Sequence, residues 1–322
     1  MDSKIQKSIV CVGSLNVDLF CYLHDKFPEP GRTLQGSHSA TCCGGKGGNQ
    51  AVMAARLGAP TSMVGMVGRD VFGNTLREAL IHDGVSIKPL REAADGTSTG
   101  TAQILVNGRG ENMIIITAGA NGKLTPTDVQ AAESDIAAAA VVMVQLEVPL
   151  EATREALRLA RAHEVFSILN PAPAPRGGLD QELLSLASLV CPNETELAVL
   201  TQKPAKTLSE IEAAAHRLRG MGAARVLVTL GERGTLLVTE KDGEDHVLLT
   251  PSPKVEMVVD TSGAGDCFIG SLAAYLSSGM ALPQAVSNAC ELASISVGKA
   301  GTQISYPYKH ELPERLQLLH GL

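Results

Sequence analysis

With 322 residues, 44% of them hydrophobic and 19% charged, the chain has an ordinary globular composition and enough length for one large domain or two smaller ones. Its net charge of −7 comes without a Lys/Arg cluster, so a nucleic-acid partner, which calls for a cationic face, is not expected. No apolar run reaches the roughly 18 residues of a membrane span, and the polar stretch 1–8 lacks the apolar block of a signal peptide; the expectation is a cytoplasmic protein with no membrane partner.

In chain order, residues 9–12 form a short β-branched run that predicts a strand, and 49–57 carries apolar residues at helical spacing up to Gly58. A strand over 61–67 and an amphipathic helix over 72–81 follow. Further on come strand 141–146, helix 150–163, strand 165–169, strand 189–191, helix 211–218 and strand 226–230, then two helices over 267–276 and 284–297. This alternation predicts an α/β fold, a parallel sheet covered by helices on both faces. Two segments break it, 18–43 and 97–118. In the second, Asn107-Gly108 separates the apolar runs 102–106 and 113–116, a hairpin signal. Both segments are expected to form a small extra sheet beside the main one. No repeat is evident, and the proline-rich stretch 171–175 is too short to link domains.

The seven cysteines (Cys11, Cys21, Cys42, Cys43, Cys191, Cys267, Cys290) are odd in number and lack a C-x-x-C pair, which predicts free thiols in a reducing compartment. The eight histidines show no H-E-x-x-H spacing, so zinc chemistry is not expected.

The strongest local signal is Asp260-Thr261-Ser262-Gly263-Ala264-Gly265-Asp266, between a β-branched run and an apolar helix. Small residues there let several N–H groups point one way, and the positive helix end adds to a site for phosphate or developing phosphoryl charge. Asp266 would repel a phosphate, so its use there is as a base toward an attacking alcohol. The alternative is a helix cap on a tight turn, and both readings stay open on the loop alone. A second loop, Gly44-Gly45-Lys46-Gly47-Gly48-Asn49-Gln50, also opens a helix; it is neither a Walker A loop nor a dinucleotide fingerprint. Gly13-Ser14-Leu15-Asn16-Val17-Asp18 sits at the carboxyl end of the first strand, where parallel sheets bind ligands. There Asn16 and Asp18 offer an amide and a carboxylate to sugar hydroxyls. Asn193 and Glu196 lie one helical turn apart after another strand, a spacing suited to a hydrated Mg²⁺, and residues 229–234 could run beside a nucleotide.

Taken together, GGKGGNQ at 44–50 and DTSGAGD at 260–266 resemble the two signatures of the ribokinase-like (pfkB) carbohydrate kinases. GSLNVD, QLEVPL, NPAPAP, CPNETE and VTLGERG stand in the same order, so the likeness runs from about residue 9 to about residue 307. The resemblance implies a three-layer α/β/α sandwich, a single catalytic domain over 1–322 into which 18–43 and 97–118 are inserted as a β-sheet lid, and a homodimer formed by pairing lids. It implies ATP-dependent phosphorylation of D-ribose at the 5-hydroxyl, yielding D-ribose 5-phosphate and ADP. Asn16, Asp18, Gly45, Lys46, Gly47, Gly48, Asn49 and Glu147 would hold the sugar. Asp266 would be the base, and Gly263, Ala264 and Gly265 the anion hole. Asn193, Thr229, Leu230, Gly231, Glu232, Arg233, Gly234, Gly265 and Cys290 would line the ATP site, with Glu196 near Mg²⁺. Asp260, Ser262, Ser296, Lys299, Gly301 and Ser305 match positions that hold K⁺.

The chain departs from the family pattern at Gly48, where alanine is usual, at Ser262, where threonine or isoleucine is common, and at Cys290, where histidine or asparagine often meets adenine. Alternative substrates within the family are fructose, 2-keto-3-deoxygluconate and nucleosides; 3% aromatic content offers little surface for stacking a nucleobase. A glycosidase or lyase on the same fold, or a non-catalytic sugar sensor, are the alternatives from other classes.

Overall fold

The computed structural model describes residues 7–241 and 243–318. The first half contains β1 (Ser8–Val12), β2 (Asn16–Leu23), β3 (Gly36–Gly44), α1 (Lys46–Arg56), β4 (Thr61–Val64), β5 (Met66–Val67), α2 (Val71–His82), β6 (Val85–Ser86), β7 (Arg91–Glu92), β8 (Gly100–Val106), β9 (Asn112–Thr117), α3 (Pro126–Gln130), α4 (Glu133–Ala138) and β10 (Ala139–Val144). The second contains α5 (Leu150–Ala162), β11 (Phe166–Leu169), α6 (Gln181–Leu186), β12 (Leu189–Val190), α7 (Glu194–Thr201), α8 (Leu208–Gly220), β13 (Val226–Thr229), β14 (Thr235–Lys241), β15 (Glu244–Thr250), α9 (Ala264–Ser277) and α10 (Leu282–Ser296).

Nine strands form the main sheet in the order β15-β14-β13-β12-β11-β10-β1-β4-β6. The ladders from β13 to β6 are parallel. β1 shows why the sequence folds this way. Side chains alternate across a strand; Ile9 and Cys11 enter the core shared with α1, α2, α9 and α10, while Val10 and Val12 enter the one shared with α3 to α8. A strand buried on both faces has to be apolar throughout. The result is the expected three-layer sandwich. At one edge β13, β14 and β15 pair antiparallel, a hairpin the βα alternation does not anticipate. The predicted strand 61–67 also divides: β4 pairs in the main sheet, and after Gly65 β5 leaves it to pair with β7. Among the described residues no helix is long and apolar enough to cross a membrane.

The two segments that interrupt the alternation come together as a second sheet, β3-β2-β8-β9. Here β2 pairs antiparallel with β3 and parallel with β8, and β8–β9 is the hairpin around Asn107-Gly108. The register sets Asn16 opposite Gly44 and Gly100, and Asp18 opposite Cys42 and Ala102. One face of this small sheet therefore carries both sugar-type side chains.

Candidate active site

The polar residues converge where the parallel strands end. β1 runs into Gly13–Asp18, β10 into Gln145 and Glu147, β11 into Asn170, β12 into Asn193, and β13 ends at Thr229. These carboxyl ends face the start of α9 across a cleft whose walls include Lys46, Asn193, Glu196, Thr229, Gly265 and Asp266. The glycines of the second loop have a steric reason to be there. Gly45 has φ +83, and a Cβ on Gly47 would stand 2.7 Å from the Ser14 nitrogen, so α1 can press its first turn against the β1 loop only without side chains.

Asp266 lies in the first turn of α9, buried with 8% of its surface exposed. It does not cap that helix: the N-cap is Gly263, at φ +74, without a side-chain cap bond. Both carboxylate oxygens are instead held by amides of α1, Oδ2 by Asn49 Nδ2 at 3.0 Å and Oδ1 by Gln50 Nε2 at 2.9 Å. Gln50 is held in turn by Gln145 Nε2 on its Oε1 at 2.6 Å, and its Nε2 also reaches Asn170 Oδ1 at 3.2 Å. The carbonyl of Gly263 accepts from Tyr306 Oη at 2.8 Å. Of the residues expected to form an anion hole, Ala264 donates its N–H to Thr261 O at 3.2 Å; among the described residues no acceptor meets the N–H of Gly265 or Asp266. Those free donors at a helix start suit an anion.

Of the residues expected to hold the sugar, Asn16 is buried with its Oδ1 accepting from Asn121 Nδ2 at 2.8 Å. Asp18 is raised from the ordinary 3.8 to about 7, first by burial and then by the negative charges of Glu147 and Asp266. These three carboxylates thus face one volume. Glu147 Oε2 accepts from Ser14 Oγ at 2.6 Å and from the Lys46 N–H at 3.1 Å, which ties three loops together. Burial alone would lower the Lys46 ammonium; Asp266, Glu147 and Glu196 outweigh it and hold the pKa above its ordinary value. The Lys46 ammonium is thus within charge range of all three carboxylates and lines the cleft. Gly48 lies inside α1, where an added Cβ would meet Leu15 Cδ2 at 2.8 Å. Here the small residue matches a leucine that crowds the position.

Of the residues expected to meet the nucleotide, Asn193 and Glu196 form a reciprocal capping box on α7: the Glu196 N–H reaches Asn193 Oδ1 at 2.8 Å and the Asn193 N–H reaches Glu196 Oε2 at 2.9 Å. Both also line the cleft. Burial raises Glu196, with Asp266 adding to it, so a cation between these carboxylates would be favoured electrostatically. Leu230 is buried, and Gly231–Arg233 makes one turn closed by Gly234 at φ +92. Glu232 is exposed in that turn, and Arg233 pairs with Glu194 at the start of α7. Cys290 is buried on α10 with its Sγ 3.9 Å from Thr235 Oγ1, and burial raises its thiol pKa.

Asp260 stays ionised: although burial opposes it, N–H bonds from Ser262 (2.9 Å) and Gly301 (2.8 Å) hold its carboxyl below the ordinary range. The Asp260 N–H also reaches Val297 O, joining the α9 loop to the segment after α10. Ser296 and Ser305 are buried, each hydroxyl donating to a carbonyl three residues back. Among the described residues no ion pair joins Lys299 to Asp260, and no cluster of three or more His, Cys, Asp or Glu is poised for a metal.

Sequence reasoning passed over Gln50, Gln145, Asn170, Asn121, Gln303 and Tyr306 as site residues. A signal existed for two of them. Gln145 and Asn170 are carboxamides placed directly after apolar strands, where a buried amide needs a specific partner.

A model of the pfkB family carbohydrate kinases matches residues 6–309. The chain belongs to this family. The kinase is 39% identical over 308 residues to the ribokinase of Mus musculus, covering 95% of this chain and 94% of the mouse protein. It is equally, 39%, identical over 310 residues to the deoxyribokinase of Salmonella typhi, covering 96% and 99%. In three dimensions it is similar to the Arabidopsis thaliana ribokinase complexed with ribose and ATP, with a TM-score of 0.86, 31% identity and coverage of 94% and 96%. The motif resemblance is thereby borne out: this is a sugar kinase on the ribokinase-like α/β fold.

Proposed function

We propose that this kinase transfers the γ-phosphoryl group of ATP to the 5-hydroxyl of D-ribose, with Asp266 as the general base. The observation that carries this reading is the setting of Asp266: a buried carboxylate held by two amides, beside free helix N–H groups and within range of the Asp18 charge. The hydroxyl proton passes to Asp266 as the ribose oxygen bonds to phosphorus, and the bond from phosphorus to the ADP oxygen breaks. The N–H groups of Gly265 and Asp266 and the Lys46 ammonium meet the phosphoryl oxygens. Asn16, Asp18, Asn49, Glu147 and the glycines 45, 47 and 48 form the sugar pocket. Asn193, Thr229, residues 230–234 and Cys290 hold the nucleotide. Mg²⁺, held through Glu196 beside Asn193, would neutralise phosphate charge. K⁺ held by Asp260 with Ser262, Ser296, residue 299, Gly301 and Ser305 would stiffen the loop that carries the anion hole.

We read 1–322 as one catalytic domain in the cytoplasm, with the small sheet as a lid that excludes water. The edge strand β9 supports a homodimer through the lids, since Met113, Ile114, Ile115 and Ile116 are 46–56% exposed and an open apolar edge invites a partner strand.

A second reading, 2-deoxyribose as substrate, is favoured by the equal identity to the Salmonella deoxyribokinase. A coupled ADP-release assay over ribose, 2-deoxyribose, fructose and adenosine separates them. The proposal expects the highest kcat/KM with ribose, and a higher value for 2-deoxyribose would replace it with the second reading.

A further inference from the structure

A carboxamide has a donor end and an acceptor end, and the group that meets one end decides what the other end presents. Asn49 turns its Nδ2 to Asp266 Oδ2 at 3.0 Å because its Oδ1 is occupied by Gln303 Nε2, also at 3.0 Å. All three residues are buried, with 5%, 8% and 8% of Asn49, Asp266 and Gln303 exposed, so water cannot easily replace either bond. Reversing Asn49 would set its oxygen against the carboxylate and its NH₂ against the NH₂ of Gln303.

Gln303 belongs to neither signature loop, and its own position is anchored. Its carbonyl accepts from Arg56 Nη1, which also reaches Tyr306 O at 3.0 Å. Arg56 ends α1, the helix whose first turn holds Asn49, and is paired at 2.8 and 3.0 Å with Asp83, whose side chain is buried. Tyr308 covers the pair, with its ring 4.4 Å from the guanidinium and its Oη donating to Asp83 at 2.9 Å. The segment so clamped delivers Gln303 to Asn49 and Tyr306 to Gly263.

We propose that Gln303 is a positioning residue for phosphoryl transfer: its side-chain N–H fixes Asn49 in the orientation that points a donor at Asp266. The inference rests on the reading of Asp266 as the base. It assigns to a residue outside both signature loops the task of keeping a donor aimed at the base.

Two variants of nearly unchanged shape test it. Gln303→Met removes the donor, whereas Gln303→Glu replaces it with an acceptor that draws the Asn49 NH₂ away from Asp266. The charged groups near position 303 are the Arg56–Asp83 pair on one side and Asp266 beyond Asn49 on the other. At about pH 8 the expected loss of kcat is about 3–10-fold for Gln303→Met and at least about 30-fold for Gln303→Glu, the scale of one hydrogen bond to a charged group removed and then reversed. ATP KM should stay unchanged in both. The gap between the two variants should narrow toward about pH 6, because burial near Asp266 raises the introduced carboxyl above its ordinary range, and once protonated it donates again. Equal losses in the two variants at both pH values, or a Gln303→Met kcat within about twofold of wild type, would overturn the proposal. If Gln303→Glu does not fold, Gln303→Met decides alone by that same criterion. Asp266→Asn is assayed alongside. Retained kcat there refutes the base itself, whereas lost kcat there with unaffected Gln303 variants refutes only the positioning role.

Discussion

Asp18 offers a test in which stability and function move in opposite directions. Its carboxyl is raised from 3.8 to about 7 by burial and by the charges of Glu147 and Asp266, so the folded protein holds this proton more tightly than the unfolded chain does. Between about pH 4 and pH 7 the unfolded state has released the proton and the folded state has not, and stability falls as pH rises through that window. At about 1.4 kcal/mol for each tenfold, the full shift corresponds to about 4 kcal/mol, and about half of that remains after allowing for the partial exposure of the group. Asp18→Asn carries no charge at any pH. It should therefore gain stability over wild type on going from about pH 5 to pH 8, by about 1–2 kcal/mol or about 1.5–3 °C in Tm. The same variant loses the carboxylate that accepts sugar hydroxyls, so the stabilisation of wild type by added ribose should shrink. Thermal melts of both proteins at the two pH values, with and without ribose, read all of this. A difference in Tm that does not change with pH would refute the crowding of carboxylates on which the reasoning depends.

Three further outcomes are expected. Replacing K⁺ by Na⁺ at constant ionic strength should lower kcat, and Asp260→Ala should remove the dependence; equal rates in the two salts would exclude the cation site. Ile115→Lys on β9 should shift the sedimentation of the protein from dimer to monomer, and a monomeric wild type would contradict the lid interface. Gly47→Ala places a Cβ 2.7 Å from the Ser14 nitrogen; it should raise ribose KM at least about tenfold and cost about 1–3 kcal/mol of stability. A neutral effect would mean that α1 and the β1 loop are free to move apart.

Much of the architecture was legible because both cores of the sandwich leave a pattern in the chain. Strands such as β1 and β10 are apolar on both faces, and the helices between them alternate with polar surface. The β14–β15 edge escaped because its strands are only partly apolar, although Asp-Gly at 242–243 was a hairpin signal. Helix starts were also misplaced: α1 begins at Lys46 and α9 at Ala264, three residues before the predicted 49 and 267, since glycines read as loop when tertiary packing holds them helical. Within the site, Asp266, Asn49 and Glu147 carried motif signals. Gln303 and Tyr306 did not, because their partners lie 254 and 43 residues away and no local spacing marks a contact made only by folding. Lys46 stood out only by its loop neighbours, and the surrounding charges of Asp266, Glu147 and Glu196 come from three other parts of the chain.

The central claim is that Asp266 takes the hydroxyl proton during phosphoryl transfer, and a coupled ADP-release assay of Asp266→Asn with D-ribose and ATP tests it most directly. The account predicts a kcat lower by about 10²–10⁴-fold, with ribose KM changed far less because the amide still hydrogen-bonds the ground-state hydroxyl. A variant that keeps more than about a third of wild-type kcat would contradict it, leaving Asp266 as a buried partner of Asn49 and Gln50 and no more.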